Sequence, residues 1–151
     1  MLKIIVLAAI FILNSANLSH ASPKTILIEA TVTYRYSIQI ETIPGYIGEK
    51  GIAKVIFEPA EGFKWNKSYP SSFEIISADS TIATLIREEI NFKDGILCVP
   101  YRAKNIGRSQ IKGLINFSIC NKEECLIFRN EQIILSLIVL KNKISIKSLI
   151  L

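Results

Sequence analysis

Phe117-Ser118-Ile119-Cys120-Asn121-Lys122-Glu123-Glu124-Cys125-Leu126-Ile127-Phe128 sets four polar residues between two cysteines, with apolar-rich chain on either side. Residues 111–119 alternate loosely between apolar and polar, and the chain turns apolar again after Cys125, so the stretch reads as two strands joined by a tight connection. The connection contains no glycine. A loop built on a type I turn, with negative φ, therefore fits better than a two-residue turn that demands positive φ. Such a loop puts Cys120 opposite Cys125 at the hairpin mouth, where paired Cα atoms sit roughly 4.5–5.5 Å apart, a span a disulfide can bridge.

Outward from the hairpin, the same period of two recurs. Over residues 25–41, Ile26, Ile28, Ala30, Val32, Tyr34, Tyr36, Ile38 and Ile40 share one face, and Glu29, Thr31, Thr33, Arg35, Ser37 and Gln39 the other. This predicts one half-buried strand, or two joined by a bend, because the run exceeds the usual strand length. Pro44-Gly45 and residues 48–51 mark a turn. A strand over 52–57 follows, with Ala53, Val55 and Phe57 facing one way, and it stops at Pro59. Residues 63–70, Phe-Lys-Trp-Asn-Lys-Ser-Tyr-Pro, have no clean period; Trp65 and Tyr69 there either pin the loop to the end of the fold or offer a platform to a partner. Strands are expected over 73–76 and 96–103, and residues 82–90, which could form a strand or a single helical turn, are read as a strand. Pro100 suggests an edge position for the strand over 96–103, and Cys98 shares the face of Ile96. After a turn at Asn105-Ile106-Gly107, strands run over 111–120 and back through 132–140. Turn signals between short strands, without a long amphipathic helix, predict an all-β, immunoglobulin-like antiparallel β-sandwich.

The start of the chain, Met1-Leu2-Lys3, an apolar run over 4–13 and a polar stretch ending Ser19-His20-Ala21, has the layout of an export signal. Residues 1–21 are expected to leave, with residues 22–151 forming a single domain. The only Met and the only His of the chain leave with the leader. That removes Cys/His and Ser/His/Asp nucleophile pairs and His-ligated zinc, so neither a cofactor nor a metal is expected. The formal charge of +5 is spread without a basic block, which speaks against a nucleic-acid partner. The apolar run over 133–140 is too short to span a bilayer, so no stable membrane insertion is expected. Export also places the three cysteines where a disulfide persists, and the odd count leaves one thiol over.

Several local patterns, in order and spacing, resemble one family. Gly62-Phe63-Lys64-Trp65-Asn66 followed by Tyr69-Pro70, then Val99-Pro100, then Gly113-Leu114-Ile115-Asn116-Phe117-Ser118-Ile119-Cys120, closed by Cys125-Leu126, are similar to the periplasmic N-terminal domain of the thiol:disulfide interchange protein DsbD. The likeness runs from about residue 48 to 139. It implies an immunoglobulin-like periplasmic domain whose redox pair is Cys120 and Cys125, exchanging disulfides with a thioredoxin-like or other redox protein. Leu126-Ile127-Phe128 stand where many members carry prolines, and Lys64 where a histidine is common.

Loop-closure entropy separates two pairings. A Cys120–Cys125 bridge closes a short loop worth about 2 kcal/mol, whereas Cys98–Cys120 would give about 3.4 kcal/mol. The local pair is thus the weaker staple and the better candidate for exchange, although a structural clip stays open. If the face of Asn116, Ser118 and Cys120 is solvated, and Lys122 favours its thiolate, Cys120 is the expected attacking sulfur. Cys98 is expected to be a small buried hydrophobe. The alternative function is a non-catalytic binding or adaptor module, with Trp65 and Tyr69 as the partner contact and the hairpin disulfide structural.

Overall fold

The computed structural model describes residues 4–6, 27–33 and 35–141. In them the chain runs through β1 (Ile4–Val6), β2 (Leu27–Val32), β3 (Tyr36–Ile43), β4 (Gly45–Tyr46), β5 (Lys50–Pro59), β6 (Lys64–Trp65), β7 (Ser72–Ala78) and β8 (Ala83–Leu85). A 3-10 turn at Arg87–Glu89 leads to β9 (Asn91–Lys93), β10 (Ile96–Ala103), β11 (Gly107–Cys120) and β12 (Cys125–Leu140). One sheet has the order β1-β2-β3-β5-β10-β8, with β9 also on β10; the other has the order β4-β12-β11-β6, with β7 also on β11. Every pairing is antiparallel except β4 beside β12.

The inward positions follow the period of two. Ala53, Val55 and Phe57 of β5 and Leu97, Val99, Tyr101 and Ala103 of β10 line one sheet. They face Ile111, Ile115, Phe117 and Ile119 of β11 and Ile133, Leu135, Leu137 and Val139 of β12. All are buried, and each large side chain so placed stabilises the fold by about 1.5–3 kcal/mol relative to exposure. The expected all-β sandwich is therefore what the chain forms.

Polar ties cross the layers where a purely apolar contact would leave backbone groups unpaired. The Tyr101 hydroxyl, wholly buried, lies 2.8 Å from the Ile138 carbonyl on β12 and 3.1 Å from that of Ile43. It also accepts the N–H groups of Gly45 and Ile138, each at 3.3 Å. Gly51 makes room for that ring, since a Cβ there would fall 2.3 Å from Tyr101 Cζ. Thr42 donates to the Ser136 carbonyl at 3.0 Å, a second tie between sheets.

The run over 25–41 takes the second of its two expected forms, two strands, β2 and β3, turned at Thr33, whose hydroxyl oxygen accepts the Arg35 and Tyr36 N–H groups. Other expectations are corrected. The apolar positions of β2 do not share the face of Tyr36, Ile38 and Ile40 as expected: the register sets Ile28, Ala30 and Val32 opposite Glu41, Gln39 and Ser37, on the outer face, where Ile28 is 44% and Val32 56% exposed. Ile26 and Tyr34 lie outside the described residues. Residues 82–90 are not one strand but β8 and then the 3-10 turn. Nor is β10 an edge strand: it pairs with β5 on one side and with β9 and β8 on the other. Pro100 is tolerated because it falls between those two partners, after the Cys98–Asn91 pair and before Tyr101–Leu85, with its carbonyl taken by Ile86 N–H at 3.0 Å. The expected leader over 1–21 lies outside the described residues apart from β1, whose backbone pairs with β2 from Val32 to Ala30. Residues 142–151 also lie outside them.

Candidate thiol–disulfide site

The hairpin closes as the absence of glycine requires. Between β11 and β12, Asn121 N–H bonds the Glu124 carbonyl at 2.9 Å, and Asn121 Oδ1 accepts the N–H groups of Glu123 and Glu124, each at 2.8 Å. One asparagine side chain thus satisfies the turn backbone without a positive φ. Immediately inside it, Cys120 and Cys125 face each other with Cα atoms 4.0 Å apart and are joined by a disulfide. The close Cα spacing, next to a hydrogen-bonded Asn121–Glu124 contact, marks them as a non-hydrogen-bonded pair.

The two sulfurs differ in setting because their strands do. Cys120 lies on β11, flanked by β12 and by β6, where Lys64 pairs with it and Trp65 with Ile119. Cys125 lies on β12, which has no neighbour there on its other side among the described residues. Cys120 is half-buried and Cys125 exposed. The expectation of a solvated Asn116–Ser118–Cys120 face fails at Ser118, which is completely buried. The loop after β6 covers it: Asn66 N–H bonds the Ser118 carbonyl at 2.9 Å and Asn66 Nδ2 reaches its hydroxyl at 3.3 Å. Exposure therefore favours Cys125, not Cys120, as the sulfur met from outside. Around it, Lys122 and Glu123 are exposed, and Glu124 stands 3.8 Å from the Arg35 guanidinium.

Under the bridge lies an aromatic cluster. Phe117 is stacked between Trp65, 5.4 Å away, and Phe128, 4.7 Å away, and meets Tyr36 edge-on at 5.1 Å. Phe57 and Phe92 complete it. Burial, aided by the neighbouring Glu131 carboxylate, pushes the Tyr36 phenol up to about 12; its hydroxyl donates to Glu131 Oε2 at 3.4 Å. Of this cluster, sequence reading singled out Trp65 alone for a site. The alternating pattern shows Tyr36, Phe57 and Phe117 only as members of separate strands and assigns Phe128 no face.

Trp65 and Tyr69 also line a cleft of about 440 Å³ with Lys67, Ser71, Phe92, Lys93 and Asp94. It opens on the flank of the sandwich between β6 and β9. Lys67 and Asp94 pair across it at 3.3 Å, and the buried Ser71 hydroxyl has no hydrogen-bond partner among the described residues. Trp65 thus both pins its loop and walls a cleft. Cys98 stands apart from the bridge on β10, opposite Lys54 and Asn91. Its neighbours Leu97 and Val99 take the inward positions, so Cys98 is half-buried on the outer face rather than a core residue.

No helix among the described residues is long and apolar enough to cross a membrane. Neither a family model, nor a curated protein, nor a solved structure matches this chain.

Proposed function

We propose that this is an exported, periplasmic thiol–disulfide exchange protein in which Cys120 and Cys125 cycle between bridge and dithiol. The observation that carries the reading is the placement of a short-range bridge at an exposed strand end, with Cys125 exposed and Cys120 half-buried beside β6. A thiolate of the redox partner attacks Cys125 Sγ, and Cys120 leaves as thiolate and takes up a proton. The aromatic cluster and the Asn121 turn hold the hairpin end in place whether or not the bridge is closed. The sequence likeness to the DsbD N-terminal domain adds support and points to a thioredoxin-like partner. The experiment is the reduction potential of the pair in the chain lacking residues 1–21, set against glutathione or dithiothreitol with the bridge mapped by mass spectrometry. A potential above about −300 mV supports exchange, and one well below it makes the bridge a structural clip.

A second reading has its own observation, the cleft with its unpartnered Ser71 hydroxyl. In that reading the protein is a binding module that contacts its partner through Trp65 and Tyr69, and the bridge only clips the hairpin. Substituting Tyr69→Ala would then abolish partner capture while a Cys120→Ala/Cys125→Ala protein retained it.

A further inference from the structure

Cys120 and Cys125 form a non-hydrogen-bonded pair, so their backbone N–H and C=O groups point away from the hairpin on both sides. Two residues along, Ser118 and Ile127 are paired in the same sense. The Ser118 carbonyl confirms it, since its bond goes to Asn66 N–H on the side away from β12. By the same alternation, Cys125 and Ile127 direct two N–H and two C=O groups out of the other side of the hairpin. There β12 is an open edge among the described residues: β4 pairs with Val139 and Leu140 alone, at the far end of the strand. Cys125 is exposed and Ile127 is 50% exposed, on the same outer face. The regular edge ends where a bulge sets Asn116 against Arg129 and Asn130, with Asn130 at φ 54°.

We propose that the edge of β12 at Cys125 and Ile127 is a strand-docking site for an extended, cysteine-bearing segment of the redox partner. The proposal rests on the exchange reading above and adds how the partner is recognised. A row of unpaired backbone groups selects an extended chain of any sequence, and the sulfur within that row selects a cysteine. The opposite side of this hairpin is closed by β6 and β7, so an incoming strand has this side alone at the bridge. Once the segment pairs, its thiolate forms a disulfide with Cys125 Sγ as the Cys120–Cys125 bond breaks and Cys120 takes the proton. A second thiol of the same partner then attacks its own sulfur in the mixed disulfide and releases Cys125. The balance is one partner dithiol oxidised to a disulfide and one bridge reduced to two thiols.

The test uses oxidised protein and a capped pentapeptide, Val-Thr-Cys-Thr-Val. Its copy N-methylated at the first, third and fifth residues keeps the thiol but cannot donate to the edge. Bridge opening, quenched by alkylation and mapped on Cys120, is expected to be roughly tenfold faster with the parent peptide than with the methylated one, the effect of about two net backbone hydrogen bonds. Ile127→Pro should slow bridge opening by the parent peptide relative to opening of the same variant by dithiothreitol, because its missing N–H is one that points outward and its ring stands in the path of a paired strand. Equal rates for the two peptides, with the bridge opened by both, overturn the docking site and spare the exchange reading. If no thiol opens the bridge, the exchange reading falls. Docking is then judged by a serine analogue of the peptide, which must protect the Ile127 amide from hydrogen exchange. Protection that grows with protein concentration alone would give the edge to a second copy of the chain and overturn the proposal.

Discussion

The indole of Trp65 lies flat on the ring of Phe117, centroids 5.4 Å apart and planes 5° from parallel. The backbone of Trp65 pairs with Ile119, next to Cys120, so this stack joins the sole tryptophan to the strand that carries the bridge. Disulfides quench nearby indoles. Reduction of the bridge is expected to raise Trp65 emission while the far-ultraviolet strand signal stays the same. Unchanged emission would mean that the stack does not sense the bridge. Truncating the ring at the centre of the cluster, Phe117→Ala, should cost roughly 3–5 kcal/mol in urea unfolding.

Exposure orders the thiols of the reduced protein. Cys125 on the open edge of β12 should be alkylated before Cys120, which β6 backs, and mass mapping at partial modification reads the order. Cys98→Ser should leave both the order and the reduction potential unchanged, since Cys98 lies on β10 in the other sheet. Cys120 labelled first would restore the assignment that the sequence alone favoured.

The burial of Ser118 shows where sequence reading stops. The hairpin, its glycine-free turn and the inward set Ile115, Phe117 and Ile119 follow from alternation and turn chemistry, which act locally along the chain. What covers the outward face is not local. Ser118 looks solvated by its polarity and parity, yet Asn66, brought over by an aperiodic loop, buries and satisfies it. Pro100 misleads for a related reason. Proline excludes a backbone partner at one residue, and β10 meets that demand by changing partners there instead of lying at an edge. In β2 the period of two does not carry through the turn at Thr33: the register places Ile28, Ala30 and Val32 on the face of Ser37, Gln39 and Glu41, opposite the inward Tyr36, Ile38 and Ile40.

The buried Tyr101 hydroxyl has one proton, for which the Ile138 carbonyl at 2.8 Å is the nearer acceptor, and its oxygen accepts from Gly45 and Ile138 N–H, so its removal leaves more than one backbone group without a partner. Tyr101→Phe is expected to lose about 1–3 kcal/mol, the cost of unsatisfied buried polar groups, with the fold retained. Gly51→Ala should be as harmful through the same ring, since its Cβ would overlap Tyr101. Urea unfolding followed by Trp65 emission measures both.

Tyr36 gives the alkaline limb of stability a defined origin. Its phenol is pushed up to about 12, first by burial and then by the Glu131 carboxylate, so the folded state holds this proton more tightly than the unfolded chain does. The corresponding stabilisation is complete below pH about 10, the unfolded value, and is lost as the pH rises through about 12. Glu131→Gln removes the neighbouring charge but not the burial. Spectrophotometric titration should place its Tyr36 transition lower than in the parent, yet still above that of a free tyrosine. An unmoved transition would assign the whole effect to burial.

The bridge itself separates clip from exchange by its effect on stability. Its cysteines are five residues apart, so closing the loop restrains the unfolded chain little. Chain entropy allows about 2 kcal/mol, less where the turn already forms in the unfolded ensemble. The folded hairpin end has supports that survive reduction: the Asn121 side chain on the Glu123 and Glu124 amides, the pairing of Lys64 and Trp65 with β11, and the stacked rings beneath. A Cys120→Ala/Cys125→Ala protein is therefore expected to fold and to lose no more than about 2 kcal/mol in urea, with Ser118 still bonded to Asn66. A loss well beyond that, or melting of the β6 pairing in hydrogen exchange, would make the bridge a structural requirement. An exchange protein must keep its shape in both redox states, and the double variant measures whether this one does.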